Sequence, residues 1–371
     1  MVREPLAGAI ALVTDLVAGR AESWDRDGVL PQELLRKLGA GGVLCAEVAP
    51  GHGGLGVSSQ HNGELTAHVG SLCSSVRSVM TSQGMAAWAV HRLGSAEQQT
   101  SYLPRLTGGD LAAVAFSEPH AGSDLSAMST RIRLDGDSVV LDGHKVWVTA
   151  AHYADLILVV GRYHDGAAAI VVIPASTPGV RVERIADPLG CRAAGHADVH
   201  LDSVRLPADS VLGGAGQSLP LLVTSVLAYG RVSVAWGCVG ILRGCLTVAA
   251  EHARSREQFG QPLVEHQLVS RHLAELFVSE QVATRVCEHA SRCWDSRASD
   301  LVIATVLAKH VSAGHAARGA ASAVQVLASA GARGGHVVAR AYRDAKLMEI
   351  IEGSTELCQL MVARHVVTSS S

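Results

Sequence analysis

The chain changes its hydrophobic period twice, and this double switch limits what it can fold into. From residue 1 to about 112 apolar side chains recur at helical spacing, opening with Leu6, Ile10, Val13 and Val17 on one face. Loops are expected at 39–42 and 50–56. Ser95 followed by Glu97, Gln98 and Gln99 marks a helix start, which Pro104, Thr107, Gly108 and Gly109 close. Short β-rich runs then take over at 111–116, 130–134, 138–141, 145–149, 156–160, 168–173, 180–185 and 199–206, with turns expected at Asp135-Gly136-Asp137 and Asp142-Gly143. After Gly216 helical texture returns at 219–254, 264–293, 301–329, 337–346 and 356–365. The expected class is a multidomain α+β chain. It comprises an N-terminal helical domain (1–112), a β-barrel or sandwich (113–215) and a C-terminal four-helix bundle with a helical tail (216–371).

Composition excludes several functions. The 371 residues suffice for two to three domains with sizeable cores. Lys and Arg total 31 against 34 for Asp and Glu, so no broad basic surface exists for nucleic acid. The eight cysteines form no CxxC pair, which argues against a disulfide framework or structural zinc and fits a reducing cytoplasm. His196 and His200 are four apart in β texture, too distant along one face to share a metal, and no metal is expected. The uncharged run at 5–14 follows Glu4 rather than a basic segment, and the run at 210–230 is broken by Gly213, Gly214, Gly216 and Pro220, so neither reads as a signal peptide or membrane span.

Four local patterns can carry chemistry, and each also has an ordinary structural reading. Phe116-Ser117-Glu118-Pro119-His120-Ala121-Gly122-Ser123-Asp124 ends a strand and offers hydroxyls and backbone N–H groups to a phosphate or cofactor edge, or is a plain loop. Trp147-Val148-Thr149 ends another strand; alternation sends Trp147 and Thr149 to one face, where an indole and a hydroxyl can meet a planar heterocycle, or simply fill a β core. Arg254 to Pro262 and Glu265-His266-Gln267 combine arginine and phenylalanine between two long helices, which suits pyrophosphate and adenine or a helix C-terminus. Glu352 follows Ile350 and Ile351 and precedes Gly353-Ser354-Thr355-Glu356. Burial there would raise its pKa toward that of a useful general base, although the segment also reads as a helix start.

Together and in this order, the four patterns resemble the acyl-CoA dehydrogenase flavoprotein family over nearly the whole chain. PGHGGLGVS, LGSAEQQTSYLPRLTGG and AVQVLASAGARGG add to the likeness. The resemblance implies the fold of that family, bound FAD and Glu352 as catalytic base. It implies Trp147, Val148 and Thr149 at the flavin ring, with Phe116, Ser117 and Ser123 on the flavin and its linker. Arg256, Gln258, Phe259, Gln267 and Gln325 would hold the FAD of a neighbouring subunit, making the protein a homodimer or homotetramer. Ser354 and Glu356 would complete the pocket, with Arg231, Gly353 and Ser123 on the substrate side.

Three positions depart from the common CoA-using members: Ala228 where an Asp is frequent, Ala328-Ser329 where a Gly-Gly pair is, and Ile351 where an aromatic precedes the base. SLCSSVRSVMTSQGMAAW, GHKVWVTAA, CRAAGHAD, LAYGR and AYRDAKLMEIIEGS are instead most similar to acyl carrier protein dehydrogenases that make alkoxymalonyl extender units for polyketides. This implies a glycerate-derived hydroxyacyl thioester on an acyl carrier protein, oxidised across C2 and C3. The competing expectations are a short-chain acyl-CoA dehydrogenase, an acyl-CoA oxidase, and a non-catalytic flavin-binding scaffold, for which Glu352 would have no use.

Overall fold

The computed structural model describes residues 3–163 and 167–369. Six helices come first: α1 (Arg3–Val17), α2 (Ala21–Asp27), α3 (Gln32–Ala40), α4 (Ser59–Leu72), α5 (Ser74–Leu93) and α6 (Ala96–Thr107). Val13 and Val17 of α1 are fully buried, as their spacing requires of a core-facing stripe. At the start of α6 the Ser95 hydroxyl accepts the Gln98 N–H and the Gln98 side chain accepts the Ser95 N–H, a reciprocal cap that satisfies two free helix-end donors.

Seven strands follow: β1 (Ala112–Ala115), β2 (Arg131–Asp135), β3 (Ser138–Val148), β4 (Leu156–Arg162), β5 (Ala168–Pro174), β6 (Val180–Arg184) and β7 (Ala197–Pro207). They form one sheet in the order β1-β4-β2-β3-β7-β6, with β5 paired to β4. β4 and β5 are buried at every position but their last, and read as continuous apolar runs. The turn expected at Asp142-Gly143 is instead a bulge inside β3. Asp142 accepts the Ser203 N–H across the ladder and pairs with Arg133, while a Cβ on Gly143 would lie 2.3 Å from the Thr130 hydroxyl. Asp-Gly is selected there by a cross-strand hydrogen bond and a close approach, so the chain bends without reversing.

The chain then returns to helices: α7 (Leu219–Ser255), a two-strand ribbon of β8 (Glu257–Gln258) and β9 (Gln261–Pro262), α8 (Gln267–Asp295), α9 (Leu301–Leu327), α10 (Val337–Met348) and α11 (Thr355–Ser369). α8 runs antiparallel to α7 and α9, with Arg243 bonded to Glu280 and Cys287 beside Ser312. α10 packs on α7 and α9, and α11 on α9. Among the described residues α7 alone is long and apolar enough to cross a membrane, but 72% of that window is buried inside the protein, under α4, α5, α8 and α9. All eight cysteines are free and buried.

One buried ion pair ties the loop after β1 to β3. Lys145 donates to Glu118 at 2.8 Å and to the Phe116 carbonyl at 3.0 Å, and Glu118 also accepts from Ser129 and Thr130. Burial pushes the Glu118 carboxyl up, but these donors outweigh it and hold the group well below its usual range. Glu118→Gln strands the Lys145 charge in the core and is expected to cost about 3 kcal/mol, read as a lowered urea midpoint. The double variant with Lys145→Met removes both charges and is expected to recover part of that loss; a double variant no more stable than the single would contradict this assignment.

Candidate active site

Between α10 and α11 the chain turns through two consecutive left-handed residues, Glu352 at φ 54° and Gly353 at φ 99°. The left-handed conformation costs a residue with a Cβ about 1–2 kcal/mol, so Glu352 stays there only if its surroundings hold it. Two buried cations do so. Arg231 of α7 donates Nε–H to the Glu352 carbonyl at 3.1 Å, and Lys309 of α9 donates to the carbonyls of Gly353 at 2.5 Å and Glu349 at 3.3 Å. The Thr355 N–H closes the loop onto the Glu349 carbonyl at 2.9 Å. The Ser354 hydroxyl accepts the Leu357 N–H at the start of α11. Glu356 is exposed, and its carboxyl is held down by its own backbone N–H and by Ser354.

The turn lays the Glu352 side chain against α7. A Cβ on Gly230 would sit 2.4 Å from Oε2 and 2.9 Å from the Met85 sulfur, so glycine at 230 makes the room. The residue as a whole is partly exposed, but Oε2 is shut from solvent and has no hydrogen-bond partner. Burial raises its pKa to about 7, with Arg231, Lys309 and Arg77 pulling the other way. Glu47 is also raised to about 7 by burial, yet both its oxygens are occupied, one by Asn62 at 2.7 Å and one by Trp294 at 3.2 Å. Of these two carboxyls, only that of Glu352 keeps an oxygen free to take a proton.

A second group gathers at the end of β3. The β3–β7 register slips between Lys145 and Val148, and Trp147 adopts φ 55° with its N–H on the Asp198 carboxylate at 3.2 Å. Simple alternation is thereby broken at Trp147, and the bulge rather than the period-two rule aims its indole. Trp147 is 54% exposed and its ring lies 5.9 Å from that of His196, while the Thr149 hydroxyl is 3.3 Å from His196 Nδ1. Val148, between them, is buried and pairs with Ala197. His196 is driven down to about 4 by burial, so it is neutral, and its Nε2 is buried without a partner. His200 is elsewhere, stacked on His144 at 4.1 Å. Phe116 is buried and the Ser117 carbonyl accepts the Val146 N–H, which fixes the loop's start to β3; Ser123 lies exposed at its tip.

The remaining candidates sit on the outside of the helical domain. Arg256, Gln258 and Phe259 are exposed on the β8–β9 ribbon, Phe259 at 97%. The antiparallel packing of α8 and α9 brings exposed Gln267 and Gln325 to the same end of that domain. Sequence reasoning passed over His196 as a functional group, and over Arg77 and Lys309 altogether. Each of these cations stands alone in a long uncharged helical run, a pattern that makes it unusual but does not say what it touches. His289, Cys293 and Asp300 also place ligand-type atoms within 4.8 Å of one another, but burial and Asp300 favour the protonated thiol, the form that does not ligate.

These groups fit a flavin. A half-exposed indole, a hydroxyl and an unpartnered imidazole nitrogen offer a flat face and polar atoms to a planar heterocycle, on a loop and strand fixed by the Lys145–Glu118 pair. Family profiles agree: the acyl-CoA dehydrogenase N-terminal domain matches residues 5–110, the middle domain 113–204 and the C-terminal domain 221–367. "Probable acyl-CoA dehydrogenase YngJ" of Bacillus subtilis (strain 168) is 30% identical over 95% of this chain and 94% of its own length. The solved structure of "FkbI for Biosynthesis of Methoxymalonyl Extender Unit of Fk520 Polyketide Immunosuppresant" is 66% identical, with a TM-score of 0.93 over 97% of this chain and 99% of that one. Glutaryl-CoA dehydrogenase from Mycobacterium smegmatis in complex with FADH2 is 27% identical, with a TM-score of 0.93 over 98% of this chain and 94% of that one. The chain belongs to the acyl-CoA dehydrogenase family and is an FAD-dependent oxidoreductase acting on acyl thioesters.

Proposed function

We propose that this enzyme oxidises a small, glycerate-derived hydroxyacyl group, held as a thioester on an acyl carrier protein, across C2 and C3 for a polyketide alkoxymalonyl extender unit. The observation that carries the chemistry is the free, buried Oε2 of Glu352, with a pKa near the operating range. The relative at 66% identity, whose title names a methoxymalonyl extender unit, supports the substrate class. Free acyl-CoA is the competing substrate, supported by the name of YngJ.

In this reading Glu352 removes the C2 proton, and the electron pair moves toward the thioester carbonyl. Among the described residues the Glu352 N–H has no acceptor, so it is free to donate to that developing oxyanion. Arg231 and Lys309 keep the turn, and therefore the carboxyl, in place. FAD, when bound, supplies the hydride acceptor for C3. A homo-oligomer with FAD sites shared between subunits is part of the proposal. Exposed Phe259 and the outward-facing Leu268, Phe277 and Val278 of α8 support it, being large apolar groups that a partner would cover. Eight unbridged cysteines are consistent with a cytoplasmic setting.

Glu352→Gln is expected to keep the bound-FAD spectrum while slowing flavin bleaching by substrate at least about a thousandfold; near-normal bleaching would place the base elsewhere. The base acts deprotonated, so with its pKa at about 7 the bleaching rate should rise about tenfold from pH 6 to pH 8 and then level off. Arg231 stabilises the ionised form, so Arg231→Met is expected to move this limb to higher pH, as stopped-flow pH profiles would show. A hydroxyacyl carrier protein is expected to bleach the flavin faster than butyryl-CoA, and bleaching by the CoA ester alone would overturn the carrier-protein reading.

A further inference from the structure

We propose that His196 is a positioning residue of the flavin site: it donates Nδ1–H to the Thr149 hydroxyl and so turns the Thr149 O–H outward, as a fixed donor to the bound ring. This rests on FAD binding alone and holds whichever thioester is oxidised. The main chain around the two side chains clamps them together. The Ala150 N–H bonds the Ala194 carbonyl and the His152 N–H bonds the Gly195 carbonyl, both at 3.1 Å. Gly195 turns at φ 69°, where a Cβ would lie 2.4 Å from the Tyr153 ring, so only glycine lets the chain pass this closely before His196. The His196 carbonyl accepts the Ile185 N–H at 2.9 Å, and the Thr149 carbonyl accepts the Ser82 hydroxyl at 3.1 Å. Nδ1 is thereby held 3.3 Å from the Thr149 hydroxyl oxygen, with the Trp147 indole beside the imidazole.

A neutral imidazole carries its proton on one nitrogen or the other, and the surroundings choose which. On Nε2 it would be a donor shut from solvent with no acceptor among the described residues, which forfeits a hydrogen bond outright. Thr149 would then spend its own hydrogen on Nδ1. On Nδ1 the proton has the Thr149 oxygen as acceptor, and the lone pair left on Nε2 lies in the positive field of Arg77. Burial and that field also keep the ring from gaining a second proton, and with a pKa of about 4 it is neutral near pH 7. His196 is 7% exposed, whereas Thr149 is half-buried and its hydroxyl has no other partner among the described residues. The Thr149 hydrogen is therefore free to point away from His196. Hydride gain adds negative charge to a flavin, so an O–H held toward the ring favours the reduced form.

The test titrates FAD holoenzymes of the wild type and its variants against a reference dye, reading the reduction potential of the bound flavin. In His196→Phe the reduced-to-oxidised ratio at a fixed ambient potential is expected to fall about tenfold, which is about 30 mV for a two-electron couple. His196→Asn, whose amide reaches the Nδ1 position, should recover most of that loss, and His196→Gln, whose amide reaches the Nε2 position, should not. Thr149→Val is expected to lower the ratio to a similar extent, and His196→Phe to add nothing in that background. An unchanged potential in His196→Phe overturns the proposal, and so does recovery by Gln equal to or greater than that by Asn. A full further drop on adding His196→Phe to Thr149→Val overturns it too, since His196 would then act on the ring by another route. If His196→Phe binds no FAD, the Asn and Gln holoenzymes decide the matter.

Discussion

The site depends on two buried cations gripping backbone carbonyls. Arg231 and Lys309, from α7 and α9, hold the Glu352 and Gly353 carbonyls and so keep Glu352 in a left-handed conformation it would otherwise avoid. That conformation tucks its Oε2 against Gly230, out of water and away from any donor, and this burial raises the pKa. Packing of the helical domain therefore sets both the aim and the proton affinity of this carboxyl. Neither lysine nor arginine need touch the carboxyl; each acts on it through the main chain and through its field.

The β domain uses a different device for the same end. Lys145 and Glu118 cross-link β3 to the loop after β1 from inside the core, and the bulge at Trp147 then turns the indole outward beside Thr149 and His196. A regular strand would have sent Trp147 and Thr149 to one face by parity, but the extra residue re-aims them around a neutral histidine. The Glu352 carboxyl and the Trp147 indole come from different domains. The Ser82 hydroxyl of α5, bonded to the Thr149 carbonyl at 3.1 Å, is one of the contacts that join those domains.

Much of the architecture was legible because it is written in periodicity. Apolar spacing located the helices on both sides of the β domain and most strands to within a few residues, since a core-facing stripe must repeat with the element that carries it. Asp142-Gly143 misled as a turn because a bulge and a reversal favour the same residues, and only the Ser203 and Thr130 contacts decide between them. At the site, Glu352 was legible from Ile350, Ile351 and Gly353, an acid among apolar neighbours beside a flexible residue. Arg77, Lys309 and His196 were not picked out, because their meaning comes from helices and strands remote in the chain.

By itself, then, the sequence determined the order of domains, the members of most helical and strand faces, and the apolar setting of Glu352, all properties set by local spacing and residue chemistry. The tertiary structure alone decided which charges are buried without counter-ions, which glycine makes room for a carboxyl, and which way Trp147 points. Those are matters of solvent exclusion and close approach between segments more than a hundred residues apart, such as Gly230 and Glu352, and no local pattern encodes them.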